Sequence, residues 1–536
     1  MILELDSHAH SRIDPLFDAW TIDWVQHALR HPSELFQANI FAPERDTLAY
    51  SHAQLGTGVL LLPARWIGLS PIGVLNVGLL AGFTLSAASA YLFGRVATGS
   101  RVVAVIAGLA YSFGPVGTAQ AGHLFMVMRP GPPLAAAAVW WLADRAKRSA
   151  SLWLPAAALA ATLAWQASNS FYLTAYTVVV ALVVAAVRFR SFGRRGFAYL
   201  AGGAAGGGVV VALMAIPYLR VRDRFPGIEW TLDGISAFGA HFTEVDYRDR
   251  LWAPLLGAPT GSAAEKAFPG LVVLGFAVCA LVVARRMAPK LRPAVWAGLA
   301  LTVVGFLMAI GASDSGWRRY TPYRLVFEIV PGFTALRDTG RAWIIGMLGL
   351  GLLAGLGVAW LRERLEQASS PALVRAGAVT VILPLVALLM VAEGLTAWQD
   401  SFEVRERPVD AALAELDEPG GVLYLPMNYT RSRSPDIGVF LQPTLIYGTT
   451  AHHRPTPNGY SGFSPPSYAR MARDTFDLPD ERVLDELRDR GVRFVVVTSY
   501  ADDVAELARL RDPANAAPLE LVGRYGPDVL YRIPDR

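Results

Sequence analysis

The stretch AWIIGMLGLGLLAGLGVAWL, Ala342–Leu361, carries no charge along its length and is bordered by Arg341 and Arg362. Roughly 20 apolar residues are what a helix needs to cross the hydrocarbon core of a bilayer. The run is apolar on every helical face, which excludes a surface helix with one side in water. It predicts a membrane-spanning helix.

Nine further segments resemble it in length and apolarity. They are Ile72–Gly94, Val102–Ala119, Pro130–Ala143, Leu152–Ala167, Phe171–Val187, Tyr199–Tyr218, Phe268–Ala284, Pro293–Ile310 and Ala376–Ala397. The expected fold is therefore an α-helical polytopic membrane protein of about ten spans, with Ser168-Asn169-Ser170 as a tight turn between two of them. Composition agrees, because only 17% of residues are charged, whereas soluble domains carry about 25%. Leu55–Leu69 is apolar but short, and Pro63 and Arg65 break it, so it is expected to lie in or dip into the interface. Met1–Arg12 has no basic stretch followed by an apolar run, which excludes a signal peptide there. Cys279 is the only cysteine, so neither an intrachain disulfide nor a cysteine-based metal site exists.

Orientation follows from the basic loops, because Lys and Arg resist translocation. Arg95 and Arg101, then Arg145, Lys147 and Arg148, then Arg188, Arg190, Arg194 and Arg195 occupy alternate connections. Arg285, Arg286, Lys290 and Arg292, and finally Arg362 and Arg364, keep the same register. With these loops inside, residues 1–71, the stretch at His123, the loops 219–267 and 311–341, and the tail from about residue 398 lie outside. All nine histidines then fall on the outer side. A net charge of +4 distributed in this way describes membrane topology, not nucleic-acid binding.

The tail changes character. Val409–Leu416 and Asp480–Arg490 have helical spacing, while Gly421–Pro426, Val492–Thr498, Leu519–Gly523 and Val529–Ile533 read as strands. The expected domains are an outer loop at 1–71 with an interfacial amphipathic helix, a transmembrane domain at 72–397, and a small extracytoplasmic α/β domain at 398–536.

The richest polar segment runs from Arg12 to Arg30. Pro15 suits a first helical turn, with Asp14 at the N-cap position. On that helix Phe17, Trp20 and Trp24 share an apolar face with Asp18 beside it, and Asp23, His27 and His31 share another face. Two tryptophans on an amphipathic helix suit a membrane interface, where the carboxylates would meet a lipid-linked phosphosugar; otherwise Asp14 is only a cap. Arg129, beside His123, either snorkels or binds phosphate. Arg337 and Arg341, one turn apart at the mouth of a span, either clamp a phosphate or pair with Asp338 or another acid. Glu229, Asp233, His241, Glu244 and Asp246 are further acid–base candidates. No HExxH, P-loop, GxGxxG or GxSxG motif is present, although a divalent metal held by aspartates is not thereby excluded.

The order of these elements resembles bacterial membrane proteins of the GT-C glycosyltransferase type. The resemblance rests on Ile13-Asp14-Pro15 through Trp20 and Trp24, Ala38-Asn39-Ile40-Phe41 with Pro43, and Leu48-Ala49-Tyr50-Ser51. It continues through Gly122-His123-Leu124, Pro331-Gly332-Phe333 with Leu336-Arg337 and Arg341, and Asn458–Phe463 with Pro465-Pro466. Asp14 stands where the family has Gly-Asp-Pro, here with Ile13 for the glycine, and Asp18 stands where Asn is frequent. The family places a span before this loop. Its absence here predicts a start upstream of Met1 or a truncated chain, which sequencing the native amino terminus would test.

The resemblance implies a protein of the bacterial plasma membrane that transfers sugar from a polyprenyl-phosphate donor to a glycan, lipid or protein acceptor, with inversion. Asp14, or secondarily Asp18, would be the general base. Arg129, Arg337 and Arg341 would hold the lipid phosphate, with His123, Trp20, Trp24 and Asn39 lining the substrate. Two rivals are a transporter or flippase of lipid-linked sugars and a non-catalytic scaffold. Transporters place ionisable groups near the midplane, whereas Glu393 is the one acid inside an expected span, near its outer end.

Overall fold

The computed structural model describes residues 4–256, 265–330, 332–367, 372–396, 401–431 and 440–536. Pro331 of the Pro331-Gly332-Phe333 motif and the last residue of the expected Ala376–Ala397 span lie outside them. The chain divides into two compact units. One comprises residues 1–78, 216–226 and 400–536, the other residues 79–215 and 227–399.

The second unit is helical. Trp343–Glu366 is its centre, with every residue from Trp343 to Val358 buried. It packs against helices Arg101–Phe113, Leu271–Val283 and Arg292–Ala309. Its glycines explain how three neighbours come so close. A Cβ on Gly349 would lie 2.4 Å from the Gly298 carbonyl oxygen, one on Gly355 2.7 Å from that of Val103, and one on Gly357 2.2 Å from that of Phe276. Small residues permit such backbone approach where lipid supplies no hydrophobic drive between helices.

Five helices among the described residues are long and apolar enough to cross a membrane: Pro71–Thr98, Arg101–Gly122, Gly193–Arg224, Pro289–Ala309 and Thr339–Glu366. Phe171–Val187 and Thr380–Glu393 are shorter and apolar. The expected segments Pro130–Ala143, Leu152–Ala167 and Phe268–Ala284 fall on helices Gly131–Lys147, Trp153–Ala167 and Leu271–Val283. Ser170 caps Phe171–Val187 through the Leu173 amide, which makes the tight turn. Glu393 is 3% exposed and accepts from the Leu271 and Val272 amides. It thus satisfies free N–H groups that open helix Leu271–Val283.

In the first unit the strands Gly421–Leu425, Val492–Val497, Asp528–Arg532 and Glu520–Tyr525 form a sheet in that spatial order. The first pair is parallel and the other two pairs are antiparallel. Gly421–Leu425 is buried throughout, so it reads as a continuous apolar run instead of an alternation. Val422, Tyr424, Phe494, Val496 and Leu530 pack with Val409 and Leu413 of helix Pro408–Glu415.

Helix Asp14–Ala28, expected as an interfacial amphipathic helix, belongs to the same unit. Of its 15 residues, 13 are buried. Leu16, Ile22 and Val25 put apolar groups on the faces that Phe17, Trp20 and Trp24 leave open. The polar side chains find partners inside, with Asp18 on Gln54, Asp23 on Arg65 and His453, and Gln26 on the Gly58 carbonyl. Asp14 is also not the cap. Ile13 takes that place, and Asp14 is the first helical residue.

Candidate functional site

Asp14 is half-buried, and one of its carboxylate oxygens accepts the Tyr460 hydroxyl at 2.9 Å. Pro15 in the first turn fixes the backbone there. Phe17, one turn on, meets the Tyr460 ring edge-on at a centroid distance of 5.4 Å and stacks on Trp20 at 5.6 Å. A carboxylate on a buried helix, oriented by a phenol whose ring is itself packed, suits a general base. Asp18, one turn on from Asp14, is 4% exposed and accepts from Gln54 Nε2 at 2.6 Å.

Trp20, Trp24 and Asn39 spend their polar atoms within the unit. Trp20 Nε1 donates to Asn39 Oδ1 at 3.2 Å, Asn39 Nδ2 donates to the Arg454 carbonyl at 3.2 Å, and Trp24 Nε1 donates to the Leu35 carbonyl at 3.1 Å. Residues 39–42 are also stitched to the tail by backbone bonds, from Phe41 to Asn458, from Ala42 to Thr456 and from Thr456 to Asn39. Asn458, which opens the Asn458–Phe463 motif of the resemblance, is fully buried. Its amide spans the Tyr424 backbone on strand Gly421–Leu425 and also donates to Gln442.

The face carrying Asp23, His27 and His31 is resolved differently from the sequence reading. Asp23 receives His453 Nε2 at 2.8 Å and Arg65 at 3.2 Å. His27 stacks on His453 with centroids 3.8 Å apart. Burial, and then His453, hold His27 below the usual histidine range. His31 lies exposed beyond the helix.

In the helical unit Arg341 does not form a clamp with Arg337. Leu336 and Asp338 have non-helical backbone and Arg341 lies in a short 3-10 turn, Thr339–Ala342, so the two arginines are not stacked one α-turn apart. Arg341 is instead paired with Asp338 at 3.1 Å and Glu265 at 3.2 Å, and lies over Phe125 and Tyr172. Glu265 also accepts from Gln120 at 2.7 Å. Burial, and then Glu265, push the Asp338 carboxyl well above the usual carboxylate range. His123 is half-buried near this group, edge-on to Phe125 at 5.9 Å. Arg337 sits over Phe238 at 4.8 Å and Trp230 at 5.5 Å, with no ion pair among the described residues. His241 pairs with Glu244 and Asp246 with Arg248.

Arg129 differs from all of these. It is 2% exposed, and among the described residues its side chain makes one hydrogen bond, from Nη2 to the Tyr111 carbonyl at 2.9 Å. Nε and Nη1 are buried without a partner among the described residues. A buried guanidinium with no counter-ion is costly, and its free donors are matched to an anion. Among the described residues no three His, Cys, Asp or Glu side chains converge as a metal site requires.

Sequence reasoning had Tyr460 only as part of the Asn458–Phe463 motif, and missed Gln54, His453 and Glu265 as partners. Asp14 and Tyr460 stand 446 positions apart, and no local periodicity joins them.

No protein-family model and no curated protein matches the sequence. Among solved structures, the arabinofuranosyltransferase AftD from Mycobacteria is similar over 97% of this chain, at 14% identity and a TM-score of 0.57. The chain spans 39% of the length of that protein. ArnT from Cupriavidus metallidurans, bound to undecaprenyl phosphate, aligns over 96% of this chain and 93% of its own at 14% identity, with a TM-score of 0.49. The oligosaccharyltransferase of Archaeoglobus fulgidus aligns over 91% of this chain and 64% of its own at 13% identity, with a TM-score of 0.44. Taken with the five bilayer-length apolar helices among the described residues, the chain is a multi-pass membrane protein whose fold is similar to that of the arabinofuranosyltransferase AftD.

Proposed function

We propose that this protein is a membrane glycosyltransferase that moves a sugar from a polyprenyl-phosphate donor to an acceptor hydroxyl on the outer face of the bacterial plasma membrane. The fold shared with a glycosyltransferase over 97% of the chain carries the reading, and Asp14 supplies its chemistry. The acceptor oxygen attacks the anomeric carbon as the bond from that carbon to the phosphate oxygen breaks. The sugar is inverted, the polyprenyl phosphate leaves, and the hydroxyl proton passes to Asp14. Tyr460 aims that carboxylate. Arg129, with donors unsatisfied among the described residues, takes the phosphate-holding role and offsets the charge that develops on the leaving group, and Arg337 is a second cation with no ion pair among the described residues. Arg341 is paired with Asp338 and Glu265 and so serves the architecture.

In this reading about ten spans cross the bilayer, and the sheet-bearing tail lies outside. The acceptor is a glycan, a lipid or a protein.

The test is sugar transfer by the purified full chain in proteoliposomes offered a panel of polyprenyl-phosphate sugars. Asp14→Asn is expected to lower kcat by about 100-fold or more. Arg129→Met is expected to raise KM for the donor while leaving the melting temperature nearly unchanged, because an apolar replacement removes a buried charge. Transfer that survives Asp14→Asn would move the base to Asp18. No transfer with any donor, from folded protein, would favour the scaffold or the transporter.

A further inference from the structure

Helices Trp153–Ala167 and Gly193–Arg224 enclose an apolar groove of about 410 Å³. Ala156, Ala160, Gly202 and Gly203 line its length, and Trp153 and Tyr199 stand at one end. The two helices meet closely behind it, since a Cβ on Gly203 would lie 2.6 Å from the Ala156 carbonyl oxygen. Gly202 faces open space, with nothing within 4 Å of its would-be Cβ. Trp153 is 63% exposed, an amphipathic ring of the kind that settles at headgroup level.

The aromatic end of the groove is strongly basic. Arg195 lies 6.0 Å over the Tyr199 ring. Arg190, Arg194, Arg195, Lys147 and Arg148 are all exposed, and none has an ion pair among the described residues. The first turn of Gly193–Arg224 sits against the end of Gly131–Lys147, because a Cβ on Gly196 would lie 3.2 Å from that of Ala146. Asp144 is the one acid between residues 140 and 200, and Arg188 already holds it. An apolar trough that opens onto unneutralised cations matches a molecule with a hydrocarbon tail and an anionic head. A second copy of the chain fits less well, because it would bring an identical set of cations against this one.

We propose that this groove binds an anionic phospholipid, one acyl chain lying along the Ala156–Gly203 trough and the phosphate held by Arg194 and Arg195. These cations belong to the connections that the charge bias assigns to the cytoplasm, so the lipid is structural or regulatory and is not the sugar donor on the outer face.

Native mass spectrometry of the purified full chain decides it, with phosphatidylglycerol and phosphatidylcholine of identical chains as probes. The wild type is expected to retain phosphatidylglycerol roughly tenfold better. Arg194→Gln with Arg195→Gln is expected to abolish that preference. Gly202→Leu, which fills the trough without a clash, is expected to reduce retention of both lipids, and Ala157→Leu provides an independent filling variant. Equal retention of the two lipids by the wild type would overturn the proposal. So would undiminished phosphatidylglycerol retention in both filled variants. A species of twice the chain mass that Gly202→Leu abolishes would assign the groove to a second copy and also overturn it.

Discussion

Asp14 shows how one residue can be legible in sequence by type and position yet opaque in its surroundings. Its place before Pro15 marks a helix start, but the group that orients it, Tyr460, comes from the far end of the chain. Tyr460→Phe removes a charge-assisted hydrogen bond and keeps the ring packing on Phe17. It is expected to lower kcat roughly tenfold, less than Asp14→Asn does, with no change in melting temperature. His452 is a second case. Its Nδ1 accepts the Arg454 amide at 3.0 Å, and its Nε2 meets a Tyr424 hydroxyl that donates to Asp410. Nε2 therefore carries the single ring proton. Burial, and then Arg454, push the His452 pKa down to about 3 from the ordinary 6.5. Between those values the unfolded chain binds a proton that the folded chain refuses. The stability linked to His452 is therefore complete above about pH 6.5 and is lost as pH falls towards 3. Melting curves across that range should show the decline, and His452→Gln, which keeps a donor for Tyr424, should flatten it.

At the scale of elements, the apolar runs became helices and the β-rich runs of the tail became strands, because both patterns follow from local periodicity. Helix Asp14–Ala28 escaped the same reasoning. Three aromatics on one face suggested a helix at a membrane interface, while the partners of its polar residues, Gln54, Arg65 and His453, lie on other elements. The loop at Asn458 is another element whose role depends on what it touches. Its side chain replaces a missing neighbour strand for Tyr424, and its carbonyl accepts from Phe41. Asn458→Ala would leave several buried polar groups unpaired. It is expected to cost roughly 3 kcal/mol, read as a lower melting temperature in detergent, whereas a loop that only bound acceptor would leave stability unchanged.

At the scale of the whole molecule, the lone cysteine makes topology directly measurable. In a Cys279→Ala background, Glu520→Cys is expected to react with a membrane-impermeant maleimide on intact cells. Ser149→Cys is expected to react only after lysis, and the reverse pattern would invert the proposed orientation. Burial also sorts the helices in a way hydropathy does not. The apolar window of Thr339–Glu366 is 83% buried and that of Gly193–Arg224 is 11% buried, although both read simply as spans. Sequence by itself determined that the protein lives in a membrane, where its helices and strands lie, and which few polar residues stand near helix mouths. These properties depend on length, hydropathy and local spacing, which act within a few turns of chain. Tertiary structure alone decided that Arg341 is paired with Glu265, that Arg129 is buried with two donors unpartnered among the described residues, and that Asp14 is held by Tyr460. Those outcomes rest on contacts between residues tens to hundreds of positions apart, where electrostatics and packing act through space and leave no periodic trace in the chain.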